Sequence, residues 1–316
     1  MQWLMLGMTL TLTVLALASI AALFLILAVF SANKCVASPD MLWQTITMMK
    51  IIVISDVHIT SEGDTIIGLD PMMRFQLVLD AAVRDHPDAE IIVLLGDLTH
   101  HGTVDQYQRL YDALVNCPIH VIPMLGNHDK RDAFYSVFTD APKDQNGFVQ
   151  HAIDIGHHRI LTLDTLDGPP YPTGHHAGRL CKDRQIWLKD QLDGANDLMS
   201  LIFSHHPPFD TGIVGMDAIK LADGNNLIDL LSEHPRTHLF CGHIHRTISG
   251  SLYGIPWTMF KSSCHQGVLD LTNSSSALSI DEAGAYGLLL LCGKGVIAHS
   301  QDVCSRTSVR HDSASE

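Results

Sequence analysis

The chain has 316 residues, 46% of them hydrophobic and 17% charged, which is the composition of a globular protein with one large domain and short appendages. Its formal net charge of −14 argues against the broad basic face that nucleic-acid binding needs. The charge does not exclude a small phosphate ester, because bound divalent cations would reverse the sign of the local field. Histidine is unusually abundant, at 20 residues.

The two ends of the chain differ from its middle. Residues 3–30 carry no charge and are long enough to cross a bilayer, and Lys34 and Lys50 follow them. This pattern favours a cytoplasmic location for the rest of the chain, either soluble or anchored by the N-terminal hydrophobic helix. Alternatively, Met48 and Met49 mark the natural start, and residues 1–47 are mis-assigned upstream sequence. The predicted organisation is a hydrophobic segment at 1–47, one domain at 48–300 and a disordered polar tail at 301–316.

Two helices in the first half carry start signals. Asp70 followed by Pro71 is typical of an N-cap with proline at the first helical position, and Thr103 with Gln106 has the spacing of a capping box. Apolar residues at helical spacing are expected to face a sheet. They are Phe75, Val78, Leu79 and Ala82 in the first helix and Tyr107, Leu110, Tyr111 and Leu114 in the second.

Short apolar runs at residues 50–55, 91–95 and 120–125 predict strands buried on both faces, and their alternation with helices predicts parallel pairing. The second half differs from this order. Its predicted strands lie at 147–154, 158–164, 200–204 and 237–241, its helices around 181–192 and 226–234, and its hairpin material at 249–259, 267–271 and 286–300. Two such halves predict an α/β fold in which two packed mixed sheets are flanked by helices, a four-layer αββα sandwich.

Five of these apolar runs are followed at once by groups that can bind a metal ion. The candidates are Asp56, His58, Asp97, Asn127, His205, His243 and His245, with His128 and His206 beside them. Because ligands bind outside the carboxyl ends of strands in open α/β sheets, these side chains are expected to meet at one edge. Turn chemistry explains a single Asp or Gly after a strand, but turns do not require histidine.

The donor types restrict the metal. All seven candidate ligands offer oxygen or nitrogen, which suits manganese, iron, zinc or cobalt. Seven are too many for one tetrahedral catalytic zinc and fit two metal ions about 3.5–4 Å apart, with Asp97 as the bridging carboxylate. Asp56 and His58 lie two residues apart, as do His243 and His245, so an extended backbone would point each pair to one side.

The blocks at residues 56–58, 96–97, 126–129, 205–208 and 242–245 resemble those of the calcineurin-like metallophosphoesterases, in that family's order. The finer resemblance is to its class III cyclic-nucleotide phosphodiesterase and glycerophosphodiesterase branch. Supporting segments are 163–165, 178–180 before Trp187, and 264–266.

The resemblance implies a ligand set. One metal ion takes Asp56, His58, Asp97 and His245, and the other takes Asp97, Asn127, His205 and His243. His205 is preferred to His206 because it stands two residues before Pro207, as the family ligand does. His206 and His265 are then expected beside the ligands or the substrate, and His128 is the expected donor to the phosphoryl oxygens or the leaving group.

The resemblance also implies an activity. A metal-bridging hydroxide would attack the phosphorus of a small phosphodiester in line with the leaving group, and Asp97 would hold both metal ions. Expected substrates are 3′,5′-cyclic nucleotides such as cAMP, or glycerophosphodiesters, and a homo-oligomer is expected. The paired histidines at 100–101 and 175–176 could wall the substrate pocket or simply be solvated.

Two other functions stay open. A metal-dependent nuclease of the same superfamily shares the short motifs, although the acidic charge counts against it. A non-catalytic scaffold on this fold, as in a retromer subunit, would have lost ligands, whereas all seven positions are filled here. The residues after Asp97 are Leu98-Thr99-His100-His101-Gly102, without the Asp-Arg-Gly of protein Ser/Thr phosphatases. No tyrosine stands three residues after Asp97, as purple acid phosphatases would need.

Overall fold

The computed structural model describes residues 48–172, 174–276 and 278–303. The predicted N-terminal segment at 1–47, with its possible anchor, and residues 304–316 of the predicted tail lie outside the described residues. Within the described part of the chain, no helix is both long enough and apolar enough to cross a membrane.

Strands and helices alternate through most of the described chain. In the first half they are β1 (Met49–Ile54), α1 (Pro71–Asp85), β2 (Ile91–Leu94), α2 (Val104–Leu114), β3 (His120–Pro123) and α3 (Arg131–Val137). The second half contains β4 (His151–Ile155), β5 (His158–Leu163), α4 (Lys182–Asp193), β6 (Met199–Ser204), α5 (Val214–Asp217), α6 (Gly224–Ser232), β7 (Thr237–Cys241), β8 (Ile248–Leu252), β9 (Ile255–Met259), β10 (Gln266–Gly267), β11 (Ser279–Ile280), β12 (Gly284–Cys292) and β13 (Gly295–Val303).

The strands form two mixed sheets and a small ribbon. The five-stranded sheet has the order β13-β12-β1-β2-β3, in which β1, β2 and β3 are parallel. The six-stranded sheet has the order β4-β5-β6-β7-β9-β8, in which β5, β6, β7 and β9 are parallel. Strands β10 and β11 pair with each other. The predicted α/β architecture with mixed sheets is confirmed, and the parallel strands bring their carboxyl ends to common edges.

Alternate residues of the central strands belong to different cores. Ile51 and Val53 of β1 pack between the two sheets with Phe203 and Phe240, whereas Ile52 and Ile54 face α1 and α2. A third core lies between the six-stranded sheet and α4 and α6. Burial on both faces explains why these strands are continuous apolar runs rather than alternating ones.

Of the two predicted helix caps, the one at Asp70 is present and the one at Thr103 is not. The Asp70 carboxylate accepts hydrogen bonds from the backbone N–H of Met72 and Met73, as the predicted cap requires. The capping box at Thr103 is wrong, because Gln106 accepts from the N–H of His101 instead and Thr103 makes no side-chain cap.

Three further details correct the predictions. Tyr111 is 41% exposed and packs edge-on against Phe138 rather than on the sheet. Residues 267–271 do not form a hairpin, since only Gln266 and Gly267 pair, with Ser279 and Ile280 of β11. The last strand continues to Val303, so the predicted tail can begin no earlier than residue 304.

Candidate metal centre

The predicted donors of the first metal ion lie together at the carboxyl end of β1. Asp56, His58, Asp97 and His245 are all buried, and one donor atom from each lies within 4.8 Å of the others. His58 Nε2 and His245 Nε2 are 3.1 Å apart, and His245 Nε2 is 3.3 Å from Asp56 Oδ1. Two ring nitrogens this close share one proton or face a common cation.

The predicted donors of the second metal ion surround the other side of Asp97. His205 Nε2 lies 3.4 Å from Asp97 Oδ2 and 3.3 Å from Asn127 Oδ1, and the rings of His205 and His243 are 5.2 Å apart. Because His58 Nε2 is 3.6 Å from the same Asp97 oxygen, this carboxylate faces both groups of donors. The seven side chains are called the donor cluster below.

Backbone carbonyls orient three of the histidines. Each of these rings has one nitrogen held by a carbonyl oxygen, which directs the other nitrogen into the cluster, as is usual for histidines that bind metals. The pairs are His205 Nδ1 with Leu95 O at 2.9 Å, His243 Nε2 with Ile219 O at 3.1 Å, and His245 Nδ1 with His265 O at 2.9 Å.

His206 has a different environment from its neighbour His205. Its Nδ1 lies 2.8 Å from Thr165 Oγ1 and its Nε2 lies 3.2 Å from the carbonyl oxygen of His176. Although its ring packs near those of His205 and His243, both of its nitrogens already have protein partners. The geometry therefore leaves His205 as the imidazole directed at Asp97.

Left-handed backbone conformations, rather than extended ones, orient most side chains of the donor cluster. The expectation that residues two apart point together because the chain is extended is wrong. Eight non-glycine residues in the described part of the chain have positive φ, and five of them belong to the donor cluster: Asp56, His58, Asp97, His243 and His245. Non-glycine residues reach this region at a cost, and such strain is concentrated at functional sites.

The loop between β3 and α3 approaches the donor cluster closely. A Cβ atom at Gly126 would clash with Asp97 and lie 2.7 Å from His205 Nε2. The buried carboxylate of Asp129 accepts from the N–H of Gly126 at 2.9 Å and of Leu98 at 3.0 Å, and so ties this loop to the one after β2. Burial and the nearby Asp97 carboxylate raise the pKa of Asp129 to about 6. Sequence reasoning missed this role, although Asp129 is part of the conspicuous 126–129 block.

His128 stands between two other imidazoles at the edge of the cluster. Its ring is stacked 5.1 Å from those of His100 and His176, and its Nδ1 lies 2.8 Å from the carbonyl oxygen of His100. Asn127 Nδ2 contacts His176 Nδ1 at 2.9 Å, which leaves the amide oxygen directed at His205. Of the paired histidines at 100–101 and 175–176, His100 and His176 line the cavity over the cluster, and His101 and His175 do not.

His265 lies beside the first group of donors. Its ring is 4.6 Å from that of His245 and 5.3 Å from that of His58, and it also lines the cavity. Its Nδ1 is buried without a hydrogen-bond partner among the described residues.

Three ionisable groups of the cluster have the protonation state that metal binding requires. Burial alone would raise the pKa of Asp97, but the charges of His205 and His128 hold it well below its usual value. Burial lowers the pKa of His58 well below its usual value and that of His243 to about 3. Asp97 is therefore an anionic carboxylate and His58 and His243 are neutral imidazoles at neutral pH, which are the forms that bind metals. His205 and His245 differ, because burial is outweighed by the carboxylates of Asp97 and Asp56, which raise the pKa of His205 to about 9 and that of His245 above its usual value. A metal ion that binds these two rings displaces their protons.

The donor set fits two metal ions. Carboxylates, neutral imidazoles and one amide oxygen form two groups that share a single carboxylate, and this is the chemistry of oxygen and nitrogen ligands for transition metals. The fold and the cluster together define a dinuclear metal centre at the strand ends of an α/β sandwich.

The chain belongs to the calcineurin-like phosphoesterase family, whose model matches residues 49–247. A "Probable cyclic nucleotide phosphodiesterase" of Rhodopseudomonas palustris is 38% identical over 79% of this chain and 91% of the relative. A "Probable glycerophosphodiester phosphodiesterase GpdQ" of Arcobacter nitrofigilis is 30% identical over 72% of this chain and 84% of the relative. The predicted resemblance is confirmed, as is the prediction of a hydrolase of this family.

A solved structure agrees with the fold. A dimetal phosphatase from Danio rerio superimposes with a TM-score of 0.63 at 14% identity, covering 81% of this chain and 97% of that chain. At this identity the likeness extends to the fold alone.

Proposed function

We propose that the chain is a metal-dependent phosphodiesterase that hydrolyses small phosphodiesters, either 3′,5′-cyclic nucleotides such as cAMP or glycerophosphodiesters. The names of its relatives support both substrate classes. The observation that carries the proposal is the Asp97 carboxylate, which faces both halves of the donor cluster at the floor of a cavity of about 370 Å³. A cavity of this size admits a small ester.

The ligand assignment follows the two halves of the cluster. Asp97 belongs to both sets. One ion, which we propose to be manganese, iron, zinc or cobalt, is held by Asp56, His58, Asp97 and His245, and the other by Asp97, Asn127, His205 and His243. The contacts of His206 with the Thr165 hydroxyl and the His176 carbonyl support the exclusion of His206 from the set.

The remaining side chains act on the substrate. Two bound metal ions supply Lewis acidity, which makes a water molecule nucleophilic and neutralises charge on the phosphoryl oxygens. His128, whose Nδ1 is held by the carbonyl of His100, is the candidate that donates a proton from Nε2 to a phosphoryl or leaving-group oxygen. His265 lines the cavity on the other side of His58 and is proposed to contact the substrate.

A substrate panel on metal-reconstituted protein tests the proposal. We expect turnover of bis(p-nitrophenyl) phosphate well above that of p-nitrophenyl phosphate, and we expect N127A and H205A each to lower diester turnover at least about a hundredfold. The exposed residues Asn226 and His157 provide matched controls, and N226A and H157A should keep wild-type rates. Unchanged activity in both cluster variants would contradict the ligand assignment. Plasmid nicking faster than diester turnover would favour a nuclease, and a protein that retains no transition metal would favour a scaffold.

Assembly and membrane attachment stay predictions. A homo-oligomer and an anchor formed by residues 3–30 are proposed from the sequence alone. Light scattering on the chain that begins at Met49, and membrane fractionation of the full chain, test them separately.

A further inference from the structure

The cavity over the donor cluster has apolar walls. Its floor is the donor cluster, and its sides come from Ile66 and Ile67, from the segment at 213–219 that contains α5, and from residues within 267–276 and 278–279. Across the described residues, no lysine or arginine lines it, and Asp270 does. The part of a substrate that extends away from the floor therefore meets hydrocarbon, serine residues and one carboxylate, and no lysine or arginine.

The segment containing α5 provides one apolar surface. Ile213, Met216 and Ile219 all line the cavity. The carbonyl oxygen of Ile219 holds His243 Nε2 at 3.1 Å, so this wall is joined directly to the donor cluster. The position of this wall relative to the donor cluster is therefore fixed.

Local contacts fix this wall in place. The Asp217 carboxylate accepts from the N–H and hydroxyl of Thr211 at 2.6 and 2.9 Å and from the N–H of Gly212 at 3.0 Å. Gly215 packs against the backbone of Ser275 so closely that a Cβ atom there would clash with it. The wall is thus built before any ligand arrives, which lowers the entropic cost of binding.

The turn at residues 66–69 provides a second apolar surface. Ile66 and Leu69 exchange two backbone hydrogen bonds of 2.9 Å, and Ile67 stands between them with a φ of 46° and 51% of its surface exposed. A β-branched residue in left-handed backbone is strained. The turn presents an isoleucine to solvent at the rim of the cavity despite this strain, and a ligand that covers it would bury apolar surface.

We propose, on the basis of the phosphodiesterase function above, that Met216, Ile219 and Ile67 form a subsite for the ester arm, and that this subsite selects a nucleobase over a glycerol arm. A nucleobase is flat, uncharged at neutral pH and apolar on both faces, so it gains from these walls. The hydroxyls of Ser276 and Ser279, which also line the cavity, can meet its polar edge. A glycerol arm can use the same hydroxyls, but it offers these apolar walls much less hydrocarbon surface to bury.

Polar substitutions of similar size test the subsite. In the metal-reconstituted double variant I67Q/M216Q, we expect KM for 3′,5′-cAMP to rise about tenfold, which corresponds to about 1.4 kcal/mol, with kcat within about twofold. A change in KM alone is expected because the arm keeps the same contacts in the ground state and the transition state. KM for glycerophosphoethanolamine should not change. Val214, on the same helix, is 46% exposed and does not line the cavity, so V214Q is the matched control.

The outcomes separate the two proposals. If wild-type protein hydrolyses neither substrate, the proposed function is wrong. If it hydrolyses diesters but prefers glycerophosphoethanolamine to cAMP, or if I67Q/M216Q alters both substrates equally or neither, the subsite is refuted while the phosphodiesterase function stands. A tenfold effect of V214Q on cAMP would also overturn the subsite, since it would show that any change in α5 has this effect.

Discussion

Among the described residues, two buried clusters of ionisable side chains differ in how their charges are compensated. In the first, the Asp164 carboxylate accepts hydrogen bonds from Arg131 through Nε at 2.7 Å and Nη2 at 2.6 Å. It also accepts from Arg184 Nη1 at 3.4 Å. The two guanidinium groups also reach the carbonyl of Leu166, and both stand over the ring of Phe148. In this arginine cluster two guanidinium groups share one carboxylate, and backbone carbonyls accept further hydrogen bonds from both.

The donor cluster has the opposite character. Its carboxylates and imidazoles face one another, it contains no cationic lysine or arginine, and five of its residues occupy left-handed backbone. The arginine cluster ties the start of α3 to the end of β5, and so holds the loops that carry Asn127 and Thr165. The comparison shows that the arginine cluster stabilises the scaffold, whereas the donor cluster lowers the stability of the metal-free protein and forms a site that a cation completes.

The largest loss of stability is expected from breaking the arginine cluster. D164N leaves two buried guanidinium groups without their carboxylate, and we expect it to lower the free energy of unfolding by about 3–5 kcal/mol in urea denaturation. Asp154, which pairs with Arg159 at the surface and is 48% exposed, provides the control. D154N should cost less than about 1 kcal/mol. Equal losses in the two variants would show that the buried cluster is not a stabilising one.

The donor cluster should respond to metal ions instead. We expect protein stripped with chelator to gain about 2.7 kcal/mol of unfolding free energy for each site when Mn²⁺ is present at a hundred times its Kd. Thermal unfolding with and without the metal measures this gain. H205A should lose about half of it, because one of the two sites is removed.

The control for this experiment is H157A, at an exposed position outside the cluster, which should keep the full gain. Folded, stripped protein whose unfolding midpoint ignores Mn²⁺, Zn²⁺ and Fe²⁺ alike would contradict the dinuclear centre. This readout is independent of catalysis, so it stands even if the substrate class is wrong.

The donor cluster was predictable because side-chain chemistry and strand order are both visible in sequence. Asp97 and His205 each follow a buried apolar run, and parallel pairing brings such positions to one edge whatever the loops do. The choice of His205 over His206 came only from resemblance, whereas the structure supplies a physical reason in the contact between His206 and Thr165.

What sequence could not predict depends on backbone atoms and distant partners. The carbonyl of Ile219 orients His243 through an atom that every residue possesses, so no residue type marks it. The left-handed conformation of Asp56 is equally invisible, because aspartate is common in extended and turn backbone alike. The apolar wall on α5 belongs to a four-residue helix, too short to leave a periodic pattern.

The smallest effect is expected from relieving backbone strain at Tyr253, which lies outside the donor cluster. Tyr253 has a φ of 51° and precedes Gly254, with a φ of 82°, in the two-residue turn between β8 and β9, and its side chain is 78% exposed. Asn-Gly is the favoured pair for a turn with two positive φ angles. Y253N should therefore raise the free energy of unfolding by about 1 kcal/mol, because it removes the left-handed penalty of a bulky residue, and should leave the gain from Mn²⁺ unchanged. Urea denaturation with and without the metal measures both. A loss of stability would show that Tyr253 makes a stabilising contact, and a changed metal response would show that backbone strain outside the donor cluster is coupled to it.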